Sequence, residues 1–91
     1  MYKILISKKV TKFILSQSSP LQNNIKRKIN LLSENPYKYP SLDIKKMKGY
    51  NNIFQLRIGK IRFIYEIKND QLLILVFTAG SRGDIYKGMS K

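Results

Sequence analysis

Two short segments of alternating apolar residues, 53–58 and 61–67, flank the dipeptide Gly59-Lys60. Alternation with a period of two is typical of β-strands, and a two-residue loop that begins with glycine is typical of the type II′ turn of a hairpin. A loop of this length leaves one possible pairing of the two strands. The segment therefore predicts an antiparallel hairpin of known register.

This register places two arginines opposite each other. Leu56 pairs with Phe63, and Arg57 pairs with Arg62. Because successive side chains point to opposite faces of a sheet, the apolar pair belongs to the core and the arginines share the other face, beside Gln55. Like charges directly opposite each other are destabilising. Two edge arginines that bend apart into water, or an anion bound between them, would both account for the pair.

Helical periodicity precedes the hairpin. After a short strand over 2–6, Ser7 caps a first helix of about ten residues. The tripeptide Ser19-Pro20-Leu21 and then Gln22 predict a second helix, with Ser19 as its cap and Gln22 completing a capping box. This helix ends at Asn35-Pro36. Its apolar stripe consists of Leu21, Ile25, Ile29 and Leu32.

The remaining segments complete the predicted fold. Residues 37–52 show no periodicity and are interpreted as a basic connection, whereas the uninterrupted apolar run 72–77 predicts a strand covered on both faces. The order is β-α-α-β-β-β. It predicts a single α+β domain over 1–91, with a helical hairpin packed on one face of a largely antiparallel four-stranded sheet.

Charge is the strongest compositional signal. Eighteen Lys and Arg against five Asp and Glu give a net charge of +13 on 91 residues. Polyanions, and nucleic acid above all, are the expected partners. The sequence has no cysteine and no histidine, so the commonest metal ligands and the commonest general base are missing. With no signal peptide or membrane span in view, we expect an intracellular, cytoplasmic protein without a metal or cofactor.

The C-terminal segment adds further basic and aromatic groups. Arg82 and Tyr86 follow the last predicted strand, beside glycines that permit close approach to a ligand. With Arg57 and Arg62 they suit cleavage of RNA by its own 2′-hydroxyl, a reaction that needs cations for the pentavalent phosphorus but no metal. Tyr86 could accept the proton, stack on a base, or simply pack on the sheet.

The chain resembles the RelE/ParE superfamily of toxins from type II toxin–antitoxin systems. The likeness extends from the first strand to Tyr86. It is carried by four segments together, namely Lys46-Met47-Lys48-Gly49, Phe54-Gln55-Leu56-Arg57-Ile58-Gly59, Ile61-Arg62-Phe63-Ile64-Tyr65-Glu66, and Gly80-Ser81-Arg82 with Tyr86.

The resemblance implies a RelE-like fold and an endoribonuclease that cleaves messenger RNA in the ribosomal A site, leaving a 2′,3′-cyclic phosphate. It also implies an antitoxin partner, which we expect to be acidic. The implied catalytic residues are Arg57, Arg62, Arg82 and Tyr86. Gln55 stands where some RelE proteins carry a catalytic lysine. The expected RNA-binding residues are Lys45, Lys46, Lys48, Gln55 and Lys87.

Two other functions fit the same sequence. A ParE-like poison of DNA gyrase would share the fold without needing the catalytic positions. A nucleic-acid-binding module without catalysis would bind with a steep dependence on salt and release no cleavage products. The presence of both Arg82 and Tyr86 favours the ribonuclease.

Overall fold

A computed structural model describes residues 1–81 of the chain. Five strands form one sheet in the order β1-β5-β4-β3-β2, and two helices pack on one of its faces. The predicted α+β class is confirmed. The elements are β1 (Lys3–Ile6), α1 (Lys8–Leu15), α2 (Ser19–Leu31), β2 (Asp43–Lys46), β3 (Ile53–Ile58), β4 (Ile61–Lys68), a 3-10 turn (Asn69–Gln71) and β5 (Leu73–Gly80).

The sheet has one strand more than the four predicted. The segment 37–52, interpreted from sequence as a connection, contains β2, which pairs antiparallel with β3 at the edge of the sheet. The strand was missed because it is only four residues long and only Ile44 among them is partly buried, against the core. Its hydrogen bonds to β3 hold it in place, and a sequence pattern does not show such bonds.

The central hairpin is as predicted. Arg57 is the register partner of Arg62, and Leu56 is the partner of Phe63. Gly59 has a φ of 60°, while Lys60 is not among the described residues with positive φ. That combination fits the type II′ turn, which requires positive φ at its first central position alone.

The helices begin with serine caps, one of them a residue earlier than expected. The Ser7 hydroxyl accepts a hydrogen bond from the Val10 amide at 3.2 Å, as predicted. The cap of α2 is Ser18, whose hydroxyl accepts from the Leu21 amide at 3.4 Å, so the prediction of Ser19 was wrong. The predicted capping box is also wrong, since the side-chain amide of Gln22 donates to the Gln17 carbonyl at 2.8 Å.

Strand β5 has two different faces. It lies between β1, with which it runs parallel, and β4, with which it runs antiparallel. Ile74 and Val76 are fully buried under the helices, whereas Leu73, Leu75 and Phe77 on the other side are only half-buried. The expected coverage of both faces was therefore wrong. We call the face away from the helices the open face.

Neither α1 nor α2 has the long apolar stretch that a membrane crossing requires.

One hydrophobic core joins the helices to the sheet. The predicted stripe of α2 packs into the core, with Ile25, Ile29 and Leu32 buried and Leu21 partly so. On the sheet side, the core contains Phe54, Leu56, Ile58, Ile61, Phe63, Tyr65, Ile67, Ile74 and Val76.

A buried tyrosine ties the loop after α2 to the sheet. The Tyr65 hydroxyl donates to the carbonyl of Pro36 at 2.6 Å, and both residues are fully buried. Replacement of Tyr65 by phenylalanine leaves this carbonyl without its partner. We expect the free energy of unfolding to fall by about 1–2 kcal/mol, measured by urea denaturation at neutral pH.

The same residue predicts a dependence on pH. Burial raises the pKa of Tyr65 well above its ordinary value. An unfolded tyrosine loses its proton near about pH 10, so the stability due to neutral Tyr65 is complete below that pH and declines as the pH rises further. The Tyr65→Phe variant should lose less stability than the wild type above about pH 10. Parallel alkaline losses in the two proteins would contradict this assignment.

Candidate nucleic-acid interface

One row of residues crosses four neighbouring strands on the open face. Asp43 of β2 is the register partner of Arg57 of β3, which is the partner of Arg62 of β4, which is the partner of Gly80 of β5. Directly opposed side chains in antiparallel strands lie on the same face of the sheet, with Cβ atoms about 4.5–5.5 Å apart. The sheet thus places one carboxylate and two guanidinium groups side by side.

These side chains border a shared cleft. It has a volume of about 240 Å³, and the described residues that line it are Asp43, Lys45, Gln55, Arg57 and Arg62. A water molecule takes up about 30 Å³ in the liquid, so the cleft has room for a phosphate group and part of a nucleotide. The expectation that Arg57 and Arg62 share one face beside Gln55 is confirmed, and the expected convergence of Arg82 on the same pocket stays a prediction.

Neither Arg57 nor Arg62 forms a direct ion pair with another residue among 1–81. Within residues 1–81 the one ion pair joins Lys68 to Glu66, at 3.7 Å. The Arg57 Nε donates to the carbonyl of Gly59 at 3.1 Å, so the hairpin turn itself orients this side chain. Arg62 is half-buried. An anion bound between the two groups would replace repulsion with charge-assisted hydrogen bonds.

Gln55 is the most buried residue of the cleft. Only 7% of its surface is exposed, and it is the register partner of Lys45. A glutamine amide is neutral, with two donors and one acceptor group, so it can position a ligand but cannot take up a proton at neutral pH. The structure places Gln55 in the cleft, and its role in RNA binding stays a prediction.

The predicted basic residues of the segment 37–52 divide between two concavities. Lys45 lines the cleft. Lys45, Lys46 and Lys48 border a second and larger hollow of about 990 Å³, together with Tyr50 and other residues of the turn before β3. Lys46 and Lys48 are therefore placed beside the cleft rather than in it. All three lysines are exposed.

Three of the predicted residues lie outside the described part of the chain. These are Arg82, Tyr86 and Lys87. The described chain ends at Ser81, directly after Gly80, the register partner of Arg62. Their roles stay predictions.

Sequence reasoning missed Asp43. Its place in the cleft depends on β2, and the segment was interpreted as a connection. The alternation of Leu42 and Ile44 around Asp43 was the available signal, since both apolar residues pack against the core. The pattern is too short to be distinguished from a loop by periodicity alone.

Comparison with known proteins identifies the family. Residues 6–86 match the family model described as ParE toxin of type II toxin–antitoxin system, parDE. The chain belongs to the RelE/ParE toxin superfamily. Among individual relatives, RelE1 of Methanocaldococcus jannaschii is 29% identical over 86 residues, which cover 94% of this chain and 96% of the relative. The toxin RelE3 of the same organism is 34% identical over 55 residues, covering 55% and 62% of the two chains.

Solved structures of RelE proteins share this fold. The RelE–RelB complex of Pyrococcus horikoshii superposes with a TM-score of 0.79 at 23% identity, covering 90% of this chain and 96% of that one. The RelB–RelE antitoxin–toxin complex of Methanococcus jannaschii gives 0.71 at 28% identity, covering 90% and 94%. Isolated Escherichia coli RelE gives 0.73 at 16% identity, covering 98% and 95%.

Proposed function

We propose that this toxin-family chain is a metal-independent endoribonuclease that cleaves messenger RNA and thereby inhibits translation. The observation that carries the proposal is the cleft in which Arg57 and Arg62 stand side by side without an ion-pair partner among residues 1–81. Arginine forks match the oxygens of a phosphate and stay charged, so the pair suits a phosphodiester whose negative charge grows during the reaction.

The reaction is an attack of the RNA's own 2′-hydroxyl on the adjacent phosphorus. It expels the 5′-oxygen of the next nucleotide and leaves a 2′,3′-cyclic phosphate. Arg57 and Arg62 hold the phosphate and stabilise the transition state. Lys45 and Gln55 contact the RNA within the cleft, and Lys46 and Lys48 bind phosphates of the RNA beside it.

The C-terminal residues complete the proposal through the family resemblance. Arg82 is assigned to the transition state, Lys87 to RNA binding, and Tyr86 to substrate alignment or proton transfer. Cleavage takes place in the ribosomal A site in the cytoplasm, where the messenger is held in an extended form. Ribosomal RNA would then contact the excess positive charge of the chain, +13 in total.

An antitoxin is the second proposed partner. The RelE–RelB complexes that share this fold contain a toxin and its antitoxin. A net charge of +13 favours an acidic antitoxin, since complementary charge speeds association and disfavours other partners. Covering the cleft would keep messenger RNA out of it.

The test is to map the 5′ ends of messages after the full chain is added to a translating extract. The expected result is new 5′ ends at defined positions within codons. The matching upstream fragments should end in a 2′,3′-cyclic phosphate. The Arg82→Ala variant, shown to be folded, should lose these ends. Undiminished cleavage by this variant would refute the role of Arg82, and intact messages with the wild type would refute the ribonuclease.

A ParE-like action on DNA gyrase is the second candidate. It is favoured by the family model that matches residues 6–86, which is that of the ParE toxin. A supercoiling assay with purified gyrase separates the two functions. Inhibition of supercoiling together with intact messages would establish the gyrase poison, and the reverse pattern would establish the ribonuclease.

A further inference from the structure

The proposed reaction needs a group that removes the 2′-hydroxyl proton. The sequence contains no histidine or cysteine that could do so. Of the five residues among 1–81 that line the cleft, three are cationic and Gln55 is a neutral amide. The fifth is Asp43, whose carboxylate is the one group among them that can accept a proton at neutral pH.

Asp43 stands at the right place relative to the phosphate. The register row runs Asp43, Arg57, Arg62 across three adjacent strands, so a phosphate held by the two arginines lies one strand away from the carboxylate. Neighbouring strands are about 4.8 Å apart, a distance that the 2′-hydroxyl can bridge, since it is carried on the ribose carbon next to the one whose oxygen bears the scissile phosphate. The carboxylate therefore flanks the phosphate on the side of β2.

The Asp43 carboxylate is not held in a direct ion pair by another residue among 1–81. No cation among residues 1–81 lies within the 4.0 Å ion-pair distance of Asp43, and the Arg57 Nε is already bonded to Gly59. A carboxylate beside a phosphate weakens binding by repulsion. A cleft that only bound RNA would gain affinity from a neutral residue here, whereas a cleft that moves a proton needs this group.

We propose that Asp43 is the general base of the RNA cleavage, an inference that rests on the proposed ribonuclease function. The Asp43 carboxylate takes the proton from the 2′-hydroxyl as the 2′-oxygen bonds to phosphorus. The bond from phosphorus to the 5′-oxygen breaks, and the leaving oxygen takes a proton from water. Asp43 then returns its proton to solvent, so the enzyme is unchanged after each cycle.

The assignment predicts a large loss of rate in Asp43→Asn. This variant keeps the shape of the side chain and removes its basicity. Single-turnover cleavage of a messenger on programmed ribosomes should slow by about 10²-fold or more, the usual contribution of a general base. Glu66→Gln is the matched control, because it removes one negative charge from the same face of the sheet outside the cleft. It should cleave at the wild-type rate.

The dependence on pH distinguishes a base from a structural or a binding residue. Among residues 1–81, the charged groups that share the cleft with Asp43 are Lys45 on its own strand, Arg57 on β3 and Arg62 on β4. If the carboxylate of Asp43 removes the proton, the wild-type rate should be level between about pH 6 and pH 9. The Asp43→Asn rate should instead rise about tenfold per pH unit, because hydroxide must then remove the proton. Asp43→Glu should restore a level profile.

The possible outcomes separate the two proposals. If the wild type cleaves and Asp43→Asn cleaves equally fast, or more slowly with a level profile, Asp43 is not the base and the ribonuclease stands. A changed preference for the cleaved sequence with a level profile overturns the assignment in the same way. If Tyr86→Phe, rather than Asp43→Asn, acquires the tenfold slope, the base is Tyr86. If the wild type cleaves no message, both proposals fail.

Discussion

Replacement of Arg62 by alanine is expected to slow cleavage of messenger RNA by about 10²- to 10³-fold, the usual cost of removing one preorganised group from a developing negative charge. Arg62 is half-buried in the cleft, with Arg57 as its register partner. Water cannot fully replace a guanidinium group held in this position. Single-turnover cleavage on programmed ribosomes measures the loss.

Two variants control for charge and for geometry. Arg27→Ala removes one positive charge from an exposed site on α2, where Arg27 donates to the Asn24 side chain at 2.5 Å. It should cleave at nearly the wild-type rate. Arg62→Lys keeps the charge and loses the planar fork, so it should lie between wild type and Arg62→Ala. Equal losses in Arg27→Ala and Arg62→Ala would mean that total charge matters and the cleft does not.

The Arg62→Ala substitution should not lower the free energy of unfolding. Opposed like charges in a sheet cost about 0.2–1 kcal/mol, and Arg62→Ala removes one of the two. The free energy of unfolding should therefore equal or exceed that of the wild type when measured by urea denaturation. Loss of activity without loss of stability is the signature of a residue kept for binding or catalysis.

Replacement of Phe63 by alanine is expected to have the opposite effect, a loss of about 3–5 kcal/mol from the free energy of unfolding. Phe63 is fully buried, and its ring meets that of Phe13 edge-on with centroids 6.2 Å apart. The substitution removes this contact between α1 and the sheet and leaves a cavity. A domain of this size has about 5–15 kcal/mol of stability in total, so the variant should be partly unfolded at 37 °C.

Urea denaturation followed by circular dichroism measures this loss, and Phe63→Leu is the control. Leucine fills most of the space and should cost clearly less than alanine. Asp70→Ala, an exposed change in the turn before β5, should stay within about 0.5 kcal/mol of wild type. A Phe63→Ala protein as stable as Asp70→Ala would show that Phe63 is not part of the core.

Local sequence determined the helices and the central hairpin. The two-residue loop at Gly59-Lys60 and the alternation on both sides permit one register, and that register places Arg57 opposite Arg62. Neighbouring residues of one strand, Arg62 and Phe63, could be assigned to the site and to the core because side chains alternate strictly along a strand. The predicted cap of α2, Ser19, lies one residue after the observed cap, Ser18, because both serines carry a hydroxyl that could cap the helix.

Only the tertiary structure decided the edges of the sheet and the full composition of the cleft. β1 joins β5 in parallel across a separation of 70 residues, and four residues of β2 pair with β3. Such pairings depend on backbone hydrogen bonds between distant segments, which the periodicity of a short strand does not encode. For this physical reason two arginines could be placed from the hairpin alone, whereas Asp43 joined them only when β2 was in place.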